Sequence, residues 1–155
     1  MQAVQYLLDH LDTLTLSQKV VMEVDTQTVS GTFHLEDYNL YQQYSGVRNV
    51  VVRLSRRQEK GNPAILVNCH FDSVPQSPGA SDDAVSCGVM LETIRVLATN
   101  NRTVLTNDLI FLFNGAEESV LLAAHGFITQ HRWADQVKAF INLEAAGSGR
   151  WSWRT

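Results

Sequence analysis

The stretch that decides the fold is Ala64-Ile65-Leu66-Val67-Asn68-Cys69-His70-Phe71-Asp72. Its first four residues form a continuous apolar run, which is typical of a buried central strand. A second such run follows at residues 109–113, and residues 139–143, which are apolar except for Asn142, predict a third strand. The segments between the three runs carry apolar residues at helical spacing, from residue 81 onwards and over residues 120–131. This order of strand, helix, strand, helix, strand predicts an α/β layer fold whose central strands are parallel.

The first third of the chain adds a helix and more strands. Five apolar residues at the spacing of a one-sided helix predict a first helix: Val4, Leu7, Leu8, Leu11 and Leu14. Residues 20–35 carry a two-residue period, which favours a half-buried strand or an irregular hairpin. Val50, Val51, Val52 and Leu54 are apolar and residues 56–63 form a polar turn, so we expect a hairpin that leads from 50–54 into 64–67. The predicted fold class is therefore α/β, a three-layer α/β/α sandwich with a mixed, centrally parallel sheet.

Length and composition indicate one ordinary globular domain. The chain has 155 residues, of which 45% are hydrophobic and 18% are charged. A chain of this length buries roughly 68–70% of the surface that it exposes when unfolded, so it can build a core without disulfides. We expect a single domain over residues 1–147 and an atypical tail at 148–155, where two tryptophans stand close together.

Charge and hydropathy exclude several kinds of partner. Twelve Lys and Arg against sixteen Asp and Glu give a net charge of −4, and the longest basic run is Arg56-Arg57. The sequence therefore predicts no nucleic-acid partner. The apolar run 109–113 is far shorter than the ~20 residues of a membrane span. The amino terminus lacks the basic region of a signal peptide.

Charged residues with ligand chemistry follow all three central strands. His70 and Asp72 end the first strand, Glu117 and Glu118 follow the second, and Glu144 follows the third. Because ligands bind outside the carboxyl ends of the strands in open α/β sheets, we expect these side chains to share one crevice. That many carboxylates around one imidazole would repel one another unless a cation lay between them.

A pair of aspartates, Asp82-Asp83, stands at the same end of the sheet, before the predicted second helix. Each element has an ordinary explanation when it is taken singly. Asp82 or Asp83 could cap the helix, and the Glu117-Glu118 pair could simply favour the dipole of the next helix. The conjunction of all of them at neighbouring strand ends favours a metal site.

At this point four ordered motifs resemble a known family. They are Asn68-Cys69-His70-Phe71-Asp72-Ser73, Gly79-Ala80-Ser81-Asp82-Asp83-Ala84, Gly115-Ala116-Glu117-Glu118 and Asn142-Leu143-Glu144. The chain resembles the zinc-dependent aminopeptidases with two co-catalytic metals, a family that also contains glutamate carboxypeptidase-like enzymes and glutaminyl cyclases. The residues of the motifs are most similar to those of a branch whose peptidase domain faces the lumen of the endoplasmic reticulum. The resemblance implies a lumenal piece of a membrane protein, anchored through segments outside this chain.

The resemblance also implies two zinc ions per complete domain and assigns their ligands. His70 and Glu144 would bind one zinc, Asp82 would bridge both, and Glu118 would bind the other. Family members supply one more histidine well beyond the strand that carries Glu144, and no histidine follows Glu144 here. We therefore expect one zinc position that is complete in protein ligands, one that is incomplete, and a carboxy-terminally truncated peptidase domain with impaired hydrolysis.

Two further residues take catalytic roles by the same resemblance. Glu117 would be the general base that takes a proton from the attacking water during hydrolysis of a peptide substrate. Asp72 would accept the second ring N–H of His70 and fix its tautomer. The alternatives are a glutaminyl cyclase-like acyltransferase that uses one zinc, and a non-catalytic interaction ectodomain. The exopeptidase type and the oligomeric state stay open.

The remaining motifs are weaker. Asn101-Arg102-Thr103 is an N-glycosylation acceptor, which has meaning only in the secretory pathway. Cys69 and Cys87 are expected to be packed thiols, with a disulfide between them possible but unsupported. The other histidines lack partners at ligand spacing, and we expect surface or helix-face roles for them: His10, His34, His125 and His131.

Overall fold

The computed structural model describes residues 2–57 and 61–145, which fold into three helices and five strands. The helices are α1 (Gln2–Asp12), α2 (Val85–Thr99) and α3 (Leu122–Gln130). The strands are β1 (Val20–Leu35), β2 (Leu40–Arg56), β3 (Ala64–His70), β4 (Asp108–Asn114) and β5 (Val137–Asn142). The predicted tail, 148–155, lies outside the described residues. No helix within the described ranges has both the length and the apolar character that a bilayer crossing requires.

The five strands form one mixed sheet in the order β1-β2-β4-β3-β5. β1 pairs antiparallel with β2 and β2 with β4, whereas β3 lies parallel to both β4 and β5. The parallel centre of the sheet is therefore confirmed. Helix α2 connects β3 to its parallel neighbour β4, and α3 connects β4 to β5, which lies on the other side of β3.

The predicted hairpin between residues 50–54 and 64–67 is wrong. β4 lies between β2 and β3, and it pairs Val52 with Phe111 on one side and Val67 with Phe111 on the other. The physical reason is burial. β4 is apolar on both faces, so it is buried best with a strand on each edge. It therefore lies between β2 and β3, which adjacency in sequence had suggested would pair with each other.

Helices cover both faces of the sheet, which confirms the three-layer sandwich. On one face α1 and α2 pack against β2 and β4 around a shared core: Val4, Leu7, Leu11, Val50, Val52, Leu54, Met90, Ile94, Phe111 and Phe113. On the other face α3 and the turn after it enclose a smaller core: Val51, Leu66, Ile110, Leu112, Phe127 and Trp133. Successive residues of β2 and β4 point into opposite cores, as the pleat of a strand requires.

The segment before α2 differs from the helix cap that the sequence suggested. Asp82 and Asp83 have non-helical backbone angles, the peptide bond between them is cis, and α2 begins only at Val85. The residue before the helix, Ala84, makes no side-chain capping bond. Both carboxylates instead turn towards the end of β3, which places them beside His70.

Candidate metal centre

His70 ends β3 and its side chain is only 1% exposed. Its Nδ1 lies 3.0 Å from the main-chain oxygen of Asp72. A carbonyl oxygen can only accept, so Nδ1 must carry the proton in this contact. In the neutral imidazole the lone pair of Nε2 is then free, and it faces a group of carboxylates.

The Nε2 of His70 has two carboxylate oxygens at ligand-to-ligand distance. It lies 3.1 Å from Oδ1 of Asp82 and 3.4 Å from Oε1 of Glu144. Zinc bonds of about 2.0–2.2 Å at tetrahedral angles put neighbouring ligand atoms roughly 3.3 Å apart. Each of the two oxygens is therefore at a distance from Nε2 that suits two ligands of one zinc ion. Asp82 is nevertheless absent from the group whose ligand atoms all lie within 4.8 Å of one another, which is His70, Asp83 and Glu144.

The sequence placed Asp83 at this end of the sheet but gave it no ligand role of its own. It is 1% exposed, and one ligand atom from each of His70, Asp83 and Glu144 lies within 4.8 Å of the others. Its Oδ2 accepts the main-chain N–H of His70 at 3.3 Å, while its buried Oδ1 has no hydrogen-bond partner in the part of the chain that the structure describes. Burial raises the pKa of Asp83, and hydrogen bonds from Ser86 and His70 offset part of that rise. A buried carboxylate oxygen without a partner is what a nearby cation would satisfy.

Asp72 makes a different contact from the one that the resemblance implied. Its Oδ1 lies 3.6 Å from Nδ1 of His70, and the main-chain oxygen of Asp72 takes the ring proton instead. The carboxylate accepts two main-chain N–H groups, from Glu117 at 3.0 Å and from Glu118 at 3.1 Å. Asp72 therefore fixes the loop that carries the two glutamates as well as the tautomer of His70.

The two glutamates after β4 point in different directions. Oε2 of Glu117 lies 3.9 Å from Nε2 of His70, beside the site. Oε1 of Glu118 accepts the main-chain N–H of Val74 at 3.1 Å, and Glu118 is not in the group of ligand atoms around His70. Glu117 thus lies beside the site, and Glu118 is turned towards the loop that follows β3.

Several carboxylates surround the imidazole of His70, and they shift the pKa values of the site. Burial lowers the pKa of His70, but the bond to the Asp72 carbonyl and the charges of Glu117, Asp72 and Glu144 outweigh it, so the net shift is upward. Burial also raises the pKa of Glu117; the imidazole of His70 opposes this rise, and the charges of Glu144, Asp72 and Glu118 add to it. The neighbouring carboxylates contribute to both upward shifts, and a divalent cation would offset their charge.

The cysteines next to this site are free and buried, as expected for packed thiols. Their Sγ atoms lie 2.7 Å apart, and Cys87 donates to the main-chain oxygen of His70 at 3.2 Å. Burial raises the pKa of the Cys69 thiol, which disfavours the thiolate form that a metal would need.

The other sequence candidates lie elsewhere. His125 stacks on Phe33, and the buried His131 accepts the N–H of Trp133. His10 and His34 are exposed. Asn101 is exposed in the turn between α2 and β4, where its side chain is accessible.

Comparison with known proteins places these observations in a family. The family model described as Peptidase family M28 matches residues 49–152. Endoplasmic reticulum metallopeptidase 1 of Homo sapiens is 51% identical over 149 residues, which cover 94% of this chain and 16% of that protein. The chain thus spans a small part of the length of this relative.

Solved structures agree with this placement. A zinc aminopeptidase from Bacillus subtilis has a TM-score of 0.57 at 28% identity, covering 69% of this chain and 27% of that chain. The glutaminyl cyclase of Porphyromonas gingivalis has a TM-score of 0.63 at 20% identity, covering 93% of this chain and 50% of that chain, and this likeness shows the fold alone. Since the family model covers more than half of its residues, the chain belongs to peptidase family M28.

Proposed function

We propose that the chain is the metal-binding core of a zinc-dependent peptidase that hydrolyses peptide bonds. The observation that carries the proposal is the environment of His70 Nε2, with Asp82 at 3.1 Å and Glu144 at 3.4 Å. These residues would hold one zinc ion. When bound there, zinc would acidify a water molecule and polarise the scissile carbonyl group.

Glu117 is the general base of this proposal. It stands 3.9 Å from His70 Nε2, further than the two ligand oxygens but next to the space that they enclose. Its raised pKa makes it a stronger base than an ordinary glutamate. Glu117 collects the proton released on attack and passes it to the leaving amine, while Asp72 holds the main-chain N–H groups of both glutamates.

The second zinc position is weaker in this chain. Its protein ligands among the described residues are Asp82, which both ions would share, and Glu118. The carboxylate of Glu118 would have to leave the N–H of Val74 to reach a metal, which adds a cost to binding. The chain therefore binds one zinc ion tightly and a second one weakly, and its hydrolytic rate is low.

The cellular setting of the proposal comes from the relatives. Endoplasmic reticulum metallopeptidases are similar to this chain over most of its length, which supports a peptide substrate and a place in the lumen as part of a larger membrane protein. Asn101, exposed in its turn, would then be glycosylated.

Zinc titration of the 155-residue chain tests the proposal. Competition with a chromophoric chelator should show about one tightly bound zinc ion per chain. His70→Ala and Glu144→Gln should weaken this binding by 100-fold or more, since each removes a direct ligand. Glu117→Gln should leave it within about threefold, because Glu117 serves as base and not as ligand.

The matched control is His34→Ala, which removes an exposed histidine on β1 and should change nothing. A chain that binds no zinc would contradict the peptidase proposal and favour an interaction domain. Equal loss of zinc in Glu117→Gln and Glu144→Gln would contradict the assignment of roles.

A further inference from the structure

Three asparagines stand at the ends of the three parallel strands. Asn68 lies on β3, and Asn114 and Asn142 are the last residues of β4 and β5. They precede His70, Glu117 and Glu144 in the sequence by two, three and two residues. Each asparagine is thus close in the chain to one of the side chains that face the proposed zinc site.

The three carboxamides are joined by hydrogen bonds that run across the sheet, and we call them the asparagine ladder. Nδ2 of Asn114 donates to Oδ1 of Asn68 at 2.8 Å and to the main-chain oxygen of Cys69 at 3.0 Å. Nδ2 of Asn68 donates to Oδ1 of Asn142 at 2.7 Å.

The ladder has one direction. Because the amino group of Asn114 faces two acceptors, a flipped amide would place oxygen against oxygen. Its own Oδ1 is buried and has no hydrogen-bond partner among residues 2–57 and 61–145, a cost that the two bonds offset. The orientation of Asn114 fixes that of Asn68, whose amino group then faces Asn142.

Main-chain bonds extend the same connection towards the ligands. The N–H of Leu143 donates to the main-chain oxygen of Asn68 at 2.9 Å, and the N–H of Phe71 donates to that of Asn114 at 3.0 Å. Asn68 therefore holds the β5 end through both its side chain and its main chain. Leu143 is the residue directly before Glu144.

β5 needs this support more than the other two strands do. It is the last strand of the described sheet, and Phe140 and Ile141 are 61% and 50% exposed. Glu144 itself is 45% exposed at its side chain, so little packing restrains it. Metal sites work when their ligands are held within about 0.5 Å of the productive geometry by bonded neighbours.

We propose that Asn68 is a positioning residue that ties the edge strand β5 to the centre of the sheet, so that Glu144 is already in place beside His70 when zinc binds. The inference rests on the proposed zinc site, and it assigns the ladder a role in metal affinity beyond its role in folding.

Two variants break the ladder and one serves as a matched control. Asn142→Ala removes only the side-chain bond that Asn68 donates to Asn142, at an exposed residue where misfolding is not expected. Asn68→Leu removes both ladder bonds of the buried carboxamide. The control is Asn49→Leu: Asn49 is as buried as Asn114 and pairs with it across β2 and β4, but its amide donates to Gln27 and Ala123.

Zinc affinity and amide hydrogen exchange are measured on all four proteins. Both ladder variants should lose about tenfold or more in zinc affinity, whereas Asn49→Leu should stay within about twofold of wild type. In the zinc-free state the amide of Leu143 should exchange faster in Asn142→Ala than in wild type. This local readout does not depend on metal.

The outcomes separate two failures. A wild-type chain that binds no zinc would refute the zinc site itself, whatever the exchange data show. A wild-type chain that binds zinc, with unchanged affinity or unchanged Leu143 exchange in Asn142→Ala, would overturn the role of the ladder. An equal loss of zinc affinity in Asn49→Leu would also overturn the role of the ladder, because the loss of any buried amide would then lower zinc affinity to the same extent.

Discussion

At the scale of single residues, the two neighbouring aspartates contact His70 in different ways, which their spacing in the sequence could not show. Asp82 is half-exposed and lies 3.1 Å from Nε2 of His70, whereas Asp83 is buried and holds the main-chain N–H of the same histidine. The sequence predicted the correct loop and strand ends, because carboxyl ends of parallel strands must meet. It could not show which carboxylate points where, since that depends on the backbone angles of two adjacent residues.

The pair gives a first prediction. Asp82→Asn should lower zinc affinity by about tenfold or more and leave the stability of the zinc-free chain unchanged, because Asp82 is open to solvent and replaceable in the fold. Asp83→Asn should lower zinc affinity less, since the amide oxygen can still accept the N–H of His70. Zinc competition and urea unfolding of both variants check this. A larger loss of affinity in Asp83→Asn would transfer the ligand role to Asp83.

Asp72 shows a second limit of sequence reasoning at this scale. The motif His70-Phe71-Asp72 suggested a bond between the two side chains, yet the carboxylate caps the N–H groups of Glu117 and Glu118 instead. Those partners are far away in the sequence and come near only because β4 lies beside β3. Spacing along the chain contains no information about them.

At the scale of elements, the strands and helices were predictable but the neighbours of β2 were not. Apolar periodicity depends on local residues, and it indicated the three helices and part of every strand, although β2 begins at Leu40, ten residues before the predicted segment 50–54. The order of strands depends on which strands must be buried. β4 is buried on both faces, so it takes a position between two other strands. Helix α2, which follows Asp82 and Asp83, begins at Val85, later than the predicted start at residue 81.

Two helical glycines give a prediction about packing. A Cβ at Gly126 in α3 would collide with the side chain of Val29 on β1, whereas a Cβ at Gly88 in α2 would meet nothing within 4 Å. Gly88→Ala should stabilise the chain by about 1 kcal/mol through helix propensity. Gly126→Ala should destabilise it, because overpacking costs about 1–3 kcal/mol. Urea unfolding measures both, and two shifts of the same sign would contradict the packing of α3 on β1.

The residue after α3 gives a prediction about pH. Burial lowers the pKa of His131 from its ordinary 6.5, and the charge of Asp25 offsets only part of this. The unfolded chain therefore binds the proton more readily, so the stability that His131 contributes is complete above pH 6.5 and is lost as the pH falls below it.

In the wild-type chain His131 accepts the N–H of Trp133 at 3.2 Å. His131→Asn should remove the pH dependence, while its amide oxygen can still accept that N–H. Unfolding free energies of the zinc-free proteins between pH 8 and pH 5 should fall more steeply for wild type than for the variant. Identical slopes would show that His131 does not titrate differently in the folded state.

At the scale of the whole molecule, the edge strand β5 has consequences for association. Its outer edge has no partner strand in the described part of the chain, and it exposes Phe140 and Ile141. Unpaired apolar edges promote pairing with other chains. We predict concentration-dependent association in sedimentation velocity, reduced by Ile141→Lys. Val104→Lys, at an exposed valine before β4, is the control. A monomer at all concentrations, or equal effects of both variants, would contradict a role for β5.

The fold class and the broad chemistry of the whole molecule could be predicted from sequence because both depend on patterns that repeat along the chain. Three apolar runs that end in carboxylates and a histidine are enough to predict a parallel centre and a shared crevice. The exact ligand directions and the asparagine ladder could not be predicted, since an asparagine at a strand end also suits a turn.

The central claim is that a zinc ion binds between His70, Asp82 and Glu144. Anomalous diffraction at the zinc edge, from crystals of the zinc-loaded chain, tests it most directly. We expect a strong anomalous peak within bonding distance of His70 Nε2 and of carboxylate oxygens from Asp82 and Glu144. A zinc ion bound elsewhere, such as at His125 or His131, with no peak beside His70, would contradict it.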